Sequence, residues 1–188
     1  MFRYFSITAL LILTLSSSLV QAQALMTLTT GFELNIHKAQ ATSFEITWYF
    51  DKNASTSLLI AFDSDSDSQF RGQEKLDLIR MLKQFEAQHY LLQLKRNEVP
   101  IKTESIRVIS LDVANSLVSV TFGVQLEQAV DLQETGLSLA FVGNERVAFK
   151  QNAVTYKLTG MLAKNCSVKV LENPSLDSHN WHQIFCTR

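Results

Sequence analysis

The residues best placed to do chemistry form one acidic run, Asp63-Ser64-Asp65-Ser66-Asp67-Ser68-Gln69-Phe70-Arg71-Gly72-Gln73-Glu74. Counted from one to twelve, its carboxylates fall at one, three, five and twelve, the register of an EF-hand calcium loop. Asp63, Asp65 and Asp67 would turn their oxygens inward around a cation. Gln69, at seven, would offer its backbone carbonyl, and Glu74, at twelve, both carboxylate oxygens. Arg71, at nine, would act only through a water. Phe70, at eight, would pack beneath the site. An all-oxygen donor set suits Ca²⁺, or Mg²⁺ and Mn²⁺, over zinc. Ser68 stands at six, where glycine normally makes the sharp turn. A left-handed serine costs about 1 kcal/mol, which predicts roughly tenfold weaker binding.

A loop of this kind needs a helix on each side. Asn53 is read as the cap of a short helix over Ser55–Phe62. Leu76, Ile79, Leu82, Lys83 and Phe85 recur at helical spacing, which predicts a second helix from Gln73 to Gln88. Around this helical insertion, at about 53–89, the chain reads as strand. Phe44, Ile46 and Trp48 alternate with Glu45 and Thr47 before it. After it come strand-like runs at Tyr90–Leu94, Ser105–Leu111, Leu117–Leu126, Leu137–Val142, Arg146–Phe149, Val154–Leu158 and Ser167–Leu171. The expected fold is α+β: a mainly antiparallel, sandwich-like β domain over 25–171 with an inserted helix–loop–helix.

The first 24 residues read as a secretory signal peptide. Arg3 is the only charge there, an apolar stretch is centred on Leu10–Leu13, and small residues close it at Ala22 and Ala24. The apolar core is shorter than the roughly 20 residues a spanning helix needs, so no membrane span is expected after cleavage. Export makes the two cysteines, Cys166 and Cys186, candidates for a disulfide that ties down a weakly ordered tail over 172–188. A second reading stays open, a zinc site with His179 and His182, whose spacing would put both rings on one helical face. His37 and His89 are weaker candidates for Zn²⁺ or Ni²⁺.

Seventeen basic residues against 18 acidic ones give a net charge of −1, which argues against a nucleic-acid binder. The sequence has no Gly-x-Ser-x-Gly elbow, phosphate-cradling glycine loop or His-Glu-x-x-His. The expectation is a non-enzymatic protein. Glu33 and Glu45 are two acidic residues of the strand region, read as solvated strand faces.

Trp48-Tyr49-Phe50-Asp51, the helix after it, the Asp-x-Asp-x-Asp loop with Glu74, and His89-Tyr90 leading to Asn97-Glu98-Val99-Pro100 resemble the family filed as domain of unknown function 1007. Val130-Asp131-Leu132 and Asn165-Cys166-Ser167 extend the resemblance over roughly 32–171. It implies a periplasmic location and association with an inner-membrane metal permease carrying zinc, nickel or cobalt. Members of that family usually begin the mature chain with a His-Pro-His segment. Here the start is Leu25-Met26-Thr27-Leu28-Thr29, with no histidine before His37. The expected function is an exported accessory protein of a divalent-metal transport system. The alternative is a structural or interaction module of the cell envelope whose loop no longer binds metal.

Overall fold

The computed structural model describes residues 26–171 and 179–187. The proposed signal peptide and residues 172–178 of the tail lie outside the described residues.

Two strands open the fold, β1 (Met26–Asn35) and β2 (Gln40–Phe50), joined by a tight turn with Lys38 and Ala39 both left-handed. Phe44, Ile46, Trp48 and Phe50 face the core, as the period-2 pattern of β2 predicts. Two helices follow, α1 (Lys52–Phe62) and α2 (Gly72–Leu82). A 3₁₀ segment, Lys83–Leu91, leads into β3 (Leu92–Arg96) and β4 (Val99–Pro100). The long strands β5 (Thr103–Ala114) and β6 (Leu117–Asp131) come next. The chain ends with β7 (Leu137–Phe141), β8 (Val147–Phe149), β9 (Thr155–Thr159), β10 (Cys166–Leu171) and β11 (Trp181–Cys186).

The strands form two sheets. One runs β5-β6-β2-β1, with β8 and β9 both pairing the far edge of β1; the other runs β10-β11-β7-β3-β4. Inner residues of both sheets and of the helices join in one apolar core. Its centre is Trp48, fully buried, with its ring centroid 4.9 Å from that of Phe122, 5.6 Å from Phe85 and 6.5 Å from Tyr90. The helical insertion is fastened below by Ser55. Its buried hydroxyl donates to the Phe50 carbonyl (3.2 Å) and accepts from the Val118 amide (2.9 Å).

The α+β class and the predominance of strand agree with the sequence, and several details differ. Helix α1 begins three residues earlier than read, because its cap is Asp51, not Asn53. The Asp51 carboxylate accepts from the Ala54 amide at 2.9 Å, so the chain turns into the helix directly from β2. Helix α2 stops at Leu82, well short of Gln88, and its deeply buried residues are Leu78 and Leu82, whereas Leu76 is exposed. Beyond it, His89, Tyr90 and Leu91 are all left-handed, which carries Tyr90 and Leu91 into the core ahead of β3.

The pairing is also less uniform than expected, since β1 runs parallel to β8 and β9. The largest correction concerns the tail. Residues 181–186 are not weakly ordered: β11 lies between β10 and β7, antiparallel to both. The predicted helical face for His179 and His182 does not exist, because this segment is extended.

Candidate metal centre

The acidic loop connects α1 to α2 on the surface. Asp63 closes α1, its amide donating to the Leu59 carbonyl at 2.9 Å. The loop is then organised by its own carboxylates. Asp63 Oδ1 accepts from the Asp67 amide (3.1 Å) and Asp63 Oδ2 from the Ser68 amide (2.9 Å). Asp65 Oδ1 accepts from the Asp67 amide (3.1 Å), and Asp67 Oδ1 from the Gln69 amide (2.8 Å). The last two are Asx turns, the short-range contact that bends aspartate-rich loops. Each of the three aspartates thereby offers an oxygen within 4.8 Å of the others. These carboxylate oxygens are the group that could hold a metal ion.

Phe70 is buried in the core beneath the loop. Glu74 sits in the first turn of α2 and faces back to the loop's start. Its Oε1 accepts from the Ser64 amide (2.7 Å) and hydroxyl (2.6 Å) and, at 3.4 Å, from the Asp65 amide. Its Oε2 accepts from the Arg71 amide at 3.3 Å. The Ser64 hydroxyl, the Arg71 amide and the Ser64 amide together hold the Glu74 carboxyl below the usual carboxylate range. The ordering it provides is therefore present above the unfolded-state value and is lost as pH falls through the lower folded one. Glu74 ties the two ends of the loop together, and the close group consists of the three aspartates.

Two loop residues act differently from their reading in the sequence. The Arg71 guanidinium makes direct contacts within the loop: it donates to Gln69 Oε1 (2.6 Å) and pairs with Asp67 Oδ2 (3.1 Å). The loop thus carries a tethered cation against one of its own carboxylates. Ser68 is left-handed, with φ 61°, as the sixth position demands, and Ser66 has the same φ. The Ser68 turn is held by the hydrogen bond that its backbone N–H donates to Asp63 Oδ2, so its cost is met on folding and not on cation binding. Glycine relieves about 1–2 kcal/mol of strain at such a position and gives back about 0.4–1 kcal/mol of unfolded-state entropy. Ser68→Gly is therefore expected to raise stability to urea slightly while leaving cation affinity unchanged.

The histidines do not assemble. His37 and His89 are exposed in separate turns, His179 packs on Trp181, and His182 is buried between the sheets. Among the described residues the aspartates form the one group of three candidate ligands. The cysteines are joined to each other, as directly opposed partners at one end of β10 and β11. The Cys186 amide donates to the Leu132 carbonyl, away from Cys166. The zinc reading for Cys166, Cys186, His179 and His182 is thereby overturned.

A feature no local motif announces is a charged row across the outer face of the larger sheet. Arg107, Gly123, Glu45, Glu33 and Lys157 stand opposite one another on β5, β6, β2, β1 and β9. Lys157 Nζ donates to both Glu33 oxygens, at 2.9 and 3.0 Å. All of this row but Lys157 lines a groove of about 450 Å³ with Asn35 and Ser43. Only the strand pairing assembles it from segments 124 residues apart.

The fold and site define a class: a two-sheet α+β protein with an acidic helix–loop–helix inserted between its second and third strands. The chain belongs to the family described as "Protein of unknown function (DUF1007)", whose sequence profile matches residues 8–183. No curated protein matches the sequence.

Proposed function

We propose that this protein is an exported, non-catalytic accessory protein of a divalent-metal transport system, and that its acidic loop takes a divalent cation, calcium first. The observation that carries this reading is the close group of Asp63, Asp65 and Asp67, with Glu74 pulling the loop shut. Gln69 and Glu74 complete the donor set. The cation would fix the two helices relative to each other in a structural or regulatory role. The disulfide suits an oxidising compartment such as the periplasm. No helix among the described residues is long and apolar enough to cross a membrane. The histidines are left out of the proposal, because they stand apart from one another.

In a strain lacking the gene, divalent-metal uptake and metal sensitivity should change and should be restored by the wild-type gene. Normal uptake and normal sensitivity contradict the transport role. Arg71 supplies a finer test. An exposed ion pair of this kind is worth about 0.2–1 kcal/mol, so Arg71→Ala should tighten calcium binding by about 1.4- to fivefold. Calorimetry on the two proteins measures it.

The charged row on the larger sheet favours a second reading, an interaction module that binds an envelope partner through that face. Co-purification of a stoichiometric partner from metal-stripped extract, persisting after Asp63→Ala with Glu74→Ala, would support it over the first.

A further inference from the structure

His182 occupies an inward position on β11, directly opposite Leu139 of β7 and Val170 of β10. It is 3% exposed, and neither ring nitrogen has a hydrogen-bond partner. Its ring meets Phe32 of the other sheet edge-on, with centroids 6.2 Å apart, and Tyr156 of β9 stacks on Phe32, with centroids 5.9 Å apart. Tyr156 and Val170 are about half exposed, so this is where the edges of the two sheets, β9 and β10, come nearest to water.

We propose that His182 makes this edge acid-sensitive: protonation of its ring loosens β9, β10 and β11 from the core while the rest of the fold stays closed. Among the described residues a charged imidazole here would have no acceptor and no counter-charge, and burial without either is strongly unfavourable. The neighbouring elements supply no relief. On β1, Glu33 points to the outer face and is held by Lys157 of β9. On β10, Lys169 alternates to the opposite face, and the inward residues of β7 are Leu137, Leu139 and Phe141. On β11 itself, Cys186 is tied to Cys166. Tyr156 is the one titratable group facing the site among the described residues, and its hydroxyl bonds neither ring nitrogen. Burial accordingly pushes the His182 imidazole below its ordinary value. The unfolded chain then binds the proton that the folded one refuses, and stability is lost as pH falls below about 6.5. The disulfide keeps β10 and β11 joined, so the two strands move as a pair.

The test uses the purified protein with its disulfide intact. Between pH 7.5 and 5.0, the urea folding constant of the wild type should fall by as much as about thirtyfold more than that of His182→Leu or His182→Met. Hydrogen exchange, corrected for intrinsic rates, should show the extra opening at pH 5.0 confined to β9, β10 and β11. The Glu74 contribution is common to all three proteins and cancels. Equal pH dependence in wild type and variants overturns the proposal, as does an acid response spread evenly over the fold. If neither variant folds, proton NMR of the wild-type ring decides. A His182 ring that titrates below the ordinary histidine range in the folded protein supports the proposal, and one that titrates at the ordinary value of about 6.5 overturns it.

Discussion

Trp48→Ala should destabilise the protein by about 3–5 kcal/mol, a large share of what holds a domain of this size folded. The ring is fully buried and touches aromatic side chains of the larger sheet and of the 3₁₀ segment. Phe50 shares its strand, Phe122 is on β6, Phe149 on β8, and Phe85 and Tyr90 are in the 3₁₀ segment. Truncation leaves a cavity where the helical insertion meets the larger sheet, and close-packed neighbours cannot refill it. The indole N–H has no acceptor, so Trp48→Phe removes an unsatisfied donor along with some volume. It should cost less than half as much as the alanine change. Urea denaturation of the three proteins measures both effects. Equal losses for alanine and phenylalanine would show that packing around this ring is not what joins helices to sheet.

Opening the disulfide should cost about 3 kcal/mol. The bond closes a loop with a sequence separation of 20, and the chain-entropy relation gives that figure for such a length. Position makes the effect local. Cys166 and Cys186 fasten the end of β10 to β11, which is an interior strand of the smaller sheet. The double variant Cys166→Ser with Cys186→Ser should lose this stability and should lose amide protection in β10 and β11 before the rest. A loss spread evenly over both sheets would contradict the view of the bond as a clamp on this hairpin.

The sequence was most legible where one local rule was sufficient. The alternation Phe44-Ile46-Trp48 gave the inward face of β2, and the spacing of Asp63, Asp65 and Asp67 gave a loop between two helices with Phe70 beneath it. It was less legible where two similar signals compete. Asp51 and Asn53 are both cap residues, and the end of β2 decides between them. Past Leu82 the helical stripe continues in sequence, yet the chain tightens into the 3₁₀ segment, and three left-handed residues without a glycine, His89 to Leu91, then redirect it. Strand β11 was hidden because its inward positions carry His182 and Cys186 beside Ile184, while Phe185 points outward. That inverts the usual polarity of a half-buried strand. The parallel pairing of β1 with β8 and β9, and with it the charged row, depends on contacts far apart in sequence. The Arg71 contact with Asp67 depends on a rotamer, which spacing does not encode.

The central claim is that the loop between α1 and α2 binds a divalent cation. It is tested most directly by calorimetric titration of the purified protein, disulfide intact, with Ca²⁺ and then Zn²⁺, beside Asp63→Ala. Calcium binding that vanishes in the variant is the result expected. No calcium binding by the wild type, or binding that survives Asp63→Ala unchanged, would contradict it.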